Sequence, residues 1–225
     1  MKLYFLLIYL IVIICYHNFS KNINYINHTY NKKFIFNKFS YNYYNIFNKL
    51  MIFPRSSIKY LELIKILKPT KNDVILDIGS GDGLNLLYFN KKFNFKKIIG
   101  VEIDRNVYKL CKYNLNLIKS KKIELYNQDI LNFNIPNDVT FFYLFNPFEQ
   151  NYFFKSKNEY DKYFNLIKNI KKSYMISKRK IFIIFVNIND QKIFDIFSQN
   201  FIIFKTGYLS ELFILKIKYT IFMLN

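Results

Sequence analysis

The chain has 225 residues, 52% of them hydrophobic, and a formal net charge of +19; that apolar content excludes a chain that stays unfolded, and the length fits one domain of about 170 residues plus a leader. It has no Ala, no Trp and 3 Arg against 31 Lys, the usage of an AT-rich coding sequence, so its basicity is weaker evidence for a nucleic-acid partner than the same charge in an unbiased chain. Beyond His28 the only Cys or His is Cys111, which excludes from the rest of the chain an internal disulfide, a His-based zinc site, an iron–sulfur cluster and a Ser-His-Asp triad.

In chain order, Met1-Lys2 is followed by an apolar run of 13 residues, Leu3–Cys15. A bilayer span takes about 20 residues, so the run suits a signal peptide and predicts no stable membrane insertion after its removal. From Met1 to Leu61 there is no Asp or Glu, against 8 Lys and Arg. Ser20–Tyr44 is rich in Asn, Lys and Tyr without periodicity and reads as unfolded. Residues 1–50 are thus expected to be a signal peptide plus a basic leader, and 51–225 the folded domain. An apolar start followed by an acid-free basic tract resembles the two-part leaders that route proteins through the secretory pathway into a secondary, apicoplast-like plastid. A plain signal peptide, or an uncleaved anchor extended by Tyr16, fits the same residues.

After Pro54 the pattern becomes regular. Ser56 or Ser57 caps a helix through Leu61, Ile64 and Leu67 that ends near Pro69. Apolar runs then predict strands over Asp73–Ile78, Lys97–Ile103, Lys122–Tyr126, Val139–Phe145, Lys180–Val186 and Phe201–Lys205, with a last run over Leu212–Phe222. Helical patterns cover Gly83–Lys92, Asn106–Ile118, Glu159–Lys171 and Asp190–Phe197. Such alternation means a parallel sheet with helices on both faces. The last two strands, joined by a short connection through Gly207, are expected to be antiparallel. Cys111, at helical spacing from Tyr108 and Leu115, is read as a core residue.

Three of the chain's 5 Gly alternate within Asp77-Ile78-Gly79-Ser80-Gly81-Asp82-Gly83, between a strand and a helix. A tight turn needs one glycine; three let a ligand approach backbone N–H groups at a helix N-terminus. The dinucleotide loop G-x-G-x-x-G is not matched, because Leu84 stands where its third glycine belongs. Whatever chemistry occurs must use carboxylates, amides, aromatic rings and an organic cofactor.

The motif D-x-G-x-G-x-G resembles that of class I S-adenosylmethionine-dependent methyltransferases, over about Ile58–Asn225. The resemblance implies a Rossmann-like, doubly wound α/β fold: a seven-stranded sheet, mostly parallel, with a C-terminal antiparallel pair. It implies S-adenosylmethionine as cofactor and no metal. Asp77, Gly79, Ser80, Gly81 and Gly83 would hold the methionine part and ribose. Glu102, 19 residues past Gly83, would hold the ribose hydroxyls. Asp129 would face the adenine amino group, with Ile103 or Ile130 against the ring. Phe145-Asn146-Pro147-Phe148 would border the methyl donor, with Asn146, Pro147 and Phe148 as the catalytic residues that position an acceptor nitrogen. Amino-group methyltransferases carry two prolines here; this chain has one, as in a group of small bacterial-type methyltransferases with an N-P-F motif. The sequence leaves a protein or an RNA substrate open, because D-x-G-S-G-D-G also occurs in protein-lysine methyltransferases. It also leaves open a donor-binding but idle scaffold, for which Asn146 would be dispensable. The Lys91/Lys92/Lys96/Lys97, Lys119/Lys121/Lys122 and Lys178/Arg179/Lys180 clusters fall where helices end and strands begin, on the edge opposite the cofactor.

Overall fold

The computed structural model describes residues 26–28, 30, 58–145, 147–148, 157–188, 190–211 and 215–225; the apolar run Leu3–Cys15, Ser56, Ser57 and Asn146 lie outside them. The helices are α1 (Ile58–Leu61), tightening into a 3-10 helix (Glu62–Leu67), α2 (Leu84–Lys92), α3 (Arg105–Asn116), α4 (Lys157–Ser177) and α5 (Gln191–Ser198). The strands are β1 (Val74–Ile78), β2 (Lys97–Glu102), β3 (Ile123–Asn127), β4 (Phe141–Phe145), β5 (Ile181–Val186), β6 (Ile202–Glu211) and β7 (Leu215–Leu224).

The strands form one sheet in the order β3-β2-β1-β4-β5-β7-β6. β1 to β5 are mutually parallel, β7 runs antiparallel to β5, and β6 antiparallel to β7. This is the expected seven-stranded architecture. Its central strand, Val-Ile-Leu-Asp-Ile, is buried at every position, because helices cover both faces. Alternation sends Ile75 to one core, with Leu84, Leu87 and Cys111 of α2 and α3. Val74, Leu76 and Ile78 go to the other, with Leu166 and Ile170 of α4 and Ile193 and Phe197 of α5. Chain order reverses direction between β1 and β4, and in such sheets ligands sit outside the carboxyl ends of the strands at that point.

Four local features differ from the sequence pattern. The second half of the first helix is 3-10 and ends at Lys68, in the left-handed region at φ 50; Pro69 next to it disfavours the α conformation there. α4 runs six residues beyond the expected Lys171, because Ser173 is still buried on its inner face, and it stops where Lys178 turns left-handed at φ 52. Gly207 is not in the connection between the last strands: it lies inside β6, opposite Tyr219. A Cβ there would meet the Tyr219 ring and hydroxyl at 2.8–3.0 Å, so the glycine makes room for that aromatic. Within the expected leader, 26–28 and Tyr30 are helical, and Ile26 is fully buried beside Tyr60 and Leu87. The Tyr30 hydroxyl donates to the Leu87 carbonyl (2.7 Å) and accepts from the Asn90 amide (3.0 Å). Among the described residues no helix is long and apolar enough to cross a membrane.

Candidate functional site

The loop between β1 and α2 is built by backbone geometry. Gly79, Gly81 and Gly83 sit at φ 76, 58 and 90, conformations that side-chain-bearing residues rarely adopt. The N–H groups of Gly79 and Ser80 donate to the Val101 carbonyl at 2.9 and 3.1 Å, which folds the loop back over the end of β2. Gly83 opens α2, and a Cβ on it would meet the Cys111 sulfur at 2.8 Å. The fully buried Cys111 therefore sets how closely α2 can approach α3, a packing role and not a reactive one. Gly79 stays exposed at the front.

Two carboxylates frame this loop. Period two puts Asp77 on the Ile75 side of β1, under the first turn of α2, where Asn85 donates to its Oδ2 at 3.1 Å. Asp77 is 1% exposed. Burial, only partly offset by the Asn85 bond and reinforced by the charge of Glu102, pushes its pKa up to about 7. Glu102, at the carboxyl end of β2, accepts from the Gly81 N–H through Oε2 (2.9 Å) and from the Asp104 N–H through Oε1 (2.8 Å). Burial raises its pKa, while those two backbone donors pull it back down. Each oxygen keeps a further lone pair for an incoming hydroxyl. Asp104 is committed elsewhere, capping α3 through the N–H groups of Asn106 and Val107. The side chain of Asn127 ties down the carbonyls of Glu102 and Ile103.

The remaining expected residues divide by exposure. Ile103 is 67% exposed beside Glu102 and offers an apolar surface to a ring, whereas Ile130 is buried in the core. Asp129 is half-buried and its Oδ1 closes a turn onto the Leu131 N–H at 2.9 Å. The Ser80 hydroxyl is buried with no protein partner, and its Cβ lies 3.0 Å from where a Cβ on Gly100 would stand. Pro147 lies against the glycine loop: a Cβ on Gly79 would be 3.9 Å from its Cα. The Phe148 ring packs edge-on against Tyr163 (5.0 Å, 80°) and is held by the core below. Asn85, Asn127 and Asn187 were not legible as site residues. Asn187 ends β5, buried and left-handed at φ 65; the one hint in the sequence is that Asn tolerates this conformation better than most residues.

The donor set fits S-adenosylmethionine: a desolvated carboxyl for an ammonium, a backbone-fixed carboxylate for a ribose diol, an exposed isoleucine for adenine and glycines that leave room for close approach. Among the described residues no group of His, Cys, Asp and Glu could hold a metal ion. The lysines at the opposite edge are largely engaged: Lys96 pairs with Asp138, Lys97 with Glu124, and Lys122 donates to Asn94.

Comparison with known proteins adds a family. The family model for ribosomal RNA adenine dimethylase matches residues 23–202. No curated protein matches the chain. Among solved structures, human methyltransferase 10 domain containing protein superposes with a TM-score of 0.61 at 10% identity, over 90% of this chain and 94% of its own. A SAM-dependent methyltransferase from Aquifex aeolicus gives 0.54 at 12% identity, over 73% and 88%. The structure described as aTrm5 in complex with tRNALeu gives 0.52 at 19% identity, over 79% and 48%. At these identities the likeness is one of fold.

Proposed function

We propose that this chain, which belongs to the ribosomal RNA adenine dimethylase family, methylates an exocyclic amino nitrogen of a base in RNA. It is an S-adenosylmethionine-dependent methyltransferase, and the acceptor is the part proposed. The family match supports RNA over protein. The observation that carries the reading is the contact between the two loops: Pro147 stands on Gly79, so the segment after β4 borders the surface expected to take the donor's methionine end.

The donor, when bound, supplies an electrophilic methyl on a sulfonium. Asp77 would take its ammonium, Glu102 its ribose hydroxyls, Ile103 one face of its adenine and Asp129 the adenine amino group. Asn146 and the Pro147 carbonyl would accept the two hydrogens of the target amine, which orients its lone pair. Nitrogen gains the methyl and loses one proton to water, and the sulfur leaves as a neutral thioether; no histidine base is needed. Orientation of this kind can supply about 7–11 kcal/mol of the barrier. Phe148 supports the loop from below through Tyr163 and is not assigned the stacking role. The N-P-F segment keeps its likeness to the small bacterial-type group. The acid-free leader is proposed to deliver the protein to a secondary plastid; residues 1–50 fused to a fluorescent protein should concentrate there, and a diffuse signal would remove this part.

The test uses the full chain, radiolabelled donor and protein-free ribosomal RNA. Glu102→Ala should weaken donor binding at least tenfold, because it removes two fixed acceptor oxygens. Asn146→Ala should abolish transfer to RNA and leave donor affinity intact. Full transfer by Asn146→Ala would remove that residue from the mechanism. Transfer to protein in a ribosome preparation, with none to RNA, would overturn the acceptor.

A further inference from the structure

In this sheet β1 passes to β2 through α2, β2 to β3 through α3, and β4 to β5 through α4, but β3 passes to β4 through Gln128–Thr140 without a helix. A parallel crossover ordinarily places a helix on the sheet face. Here coil lies in that position beside α4 and leaves a trench of about 290 Å³. Two bonds tie coil to helix. The Asn169 amide donates to the Leu131 carbonyl (2.9 Å), and one turn later the Ser173 hydroxyl donates to the Pro136 carbonyl (3.1 Å). The coil contributes Asn132, Asn134 and Asn137, and the helix contributes Asn169, Lys172 and Ser173.

The chemistry of these walls is one-sided. Amides and a hydroxyl offer both donors and acceptors, one ammonium offers charge, and no carboxylate lines the trench. The nearest acids are occupied: Asp138 pairs with Lys96, and Asp129 accepts from the Leu131 N–H. Lys172 is exposed and, among the described residues, has no ion pair, whereas its neighbour Lys171 donates to Asn200. At about 30 Å³ per water, the volume is that of roughly ten waters, the scale of one nucleotide's base and sugar. A lysine-bearing peptide would find no counter-charge there, on a chain of net charge +19. The trench also begins at Leu131, two residues past Asp129.

We propose that the trench between the β3–β4 coil and α4 is an RNA subsite, which takes one nucleotide of the substrate strand beside the base to be methylated. Lys172 meets a phosphate, and the asparagine amides meet base or ribose edges without strong sequence preference. The assignment rests on RNA being the acceptor.

Binding of labelled oligoadenylate and oligouridylate to the full chain, at several salt concentrations, tests it. The double variant Lys172→Ala, Asn137→Ala should bind both about tenfold more weakly, with a salt slope reduced by about one, and bind S-adenosylmethionine as wild type does. Lys109→Ala removes the same charge from an exposed position on α3, across the sheet, and should change RNA affinity little. An unchanged double variant, or an equal loss in Lys109→Ala, overturns the trench and leaves RNA as acceptor standing. A wild-type chain that binds the donor but neither RNA overturns both.

Discussion

Asp77 is a carboxyl whose proton and whose ligand compete. Its ordinary pKa is 3.8 and the fold raises it to about 7, chiefly by burial. Between those values the native state keeps a proton that the unfolded chain has released. Stability from this group is thus full below pH 3.8 and is lost as pH rises towards 7. An ammonium needs the charged form, so donor binding below pH 7 must expel that proton. Affinity for S-adenosylmethionine should climb by up to about tenfold per pH unit from about pH 5.5 and level off near 7. Calorimetry in two buffers of different ionisation heat should register proton release, and Asp77→Asn should abolish both effects. A flat affinity over that range would detach Asp77 from the ammonium. Gly83 makes a second residue-scale case. Gly83→Ala must hold φ 90 and push aside a sulfur 2.8 Å away, so it should lose about 1–3 kcal/mol of stability in chemical denaturation. The more tolerant Gly79→Ala, with only ordinary contacts at 3.9 Å, should lose less. The glycines and acids could be read in the sequence because few residues suit those backbone angles and that desolvated charge. The partners Asn85 and Asn127 could not, since asparagine is abundant throughout this chain and its neighbours are set by the fold.

At the scale of elements, apolar period and turn residues located every strand and helix now seen from β1 onward, with ends shifted by a few residues. The larger misses have physical causes. Gly207 reads as a turn because glycine usually breaks strands, and only the pairing of β6 with β7 reveals the tyrosine it accommodates. The end of α4 is concealed because Lys172–Ser177 carries few apolar residues, yet Ser173 is buried there by its bond to Pro136. The helix-free crossover from β3 to β4 could be read as an absence of pattern in Gln128–Asp138. That it leaves a polar trench depends on α4 standing beside it, which is a property of the assembled sheet. Likewise, Ile103 and Ile130 look equivalent in the sequence, and the fold separates them by turning one outward after β2 and the other into the core.

At the scale of the whole molecule, the boundary between leader and enzyme becomes a quantitative matter. Composition makes the first 61 residues look uniform, because acid-free, Asn- and Lys-rich chain offers no contrast. Yet Ile26 is fully buried against the α1–α2 side of the core, and Tyr30 bonds to the Leu87 carbonyl and the Asn90 amide of α2. Removing a fully buried isoleucine side chain costs about 2–5 kcal/mol, and the buried hydroxyl bond about 1 kcal/mol more. Against a typical domain stability of about 5–15 kcal/mol, that is a substantial share. A protein starting at Met51 should therefore melt well below one starting at Lys21, by about 5 °C or more, and Ile26→Ala in the longer form should reproduce most of the difference. The same energetics constrain processing. A protease that cut between Ile26 and Tyr30 would leave a weakened enzyme, so the mature N-terminus should precede Ile26. Mass spectrometry of the N-terminal peptide from cells checks this directly. A mature protein starting beyond Tyr30 and melting no lower than the longer form would mean that these contacts carry no stability.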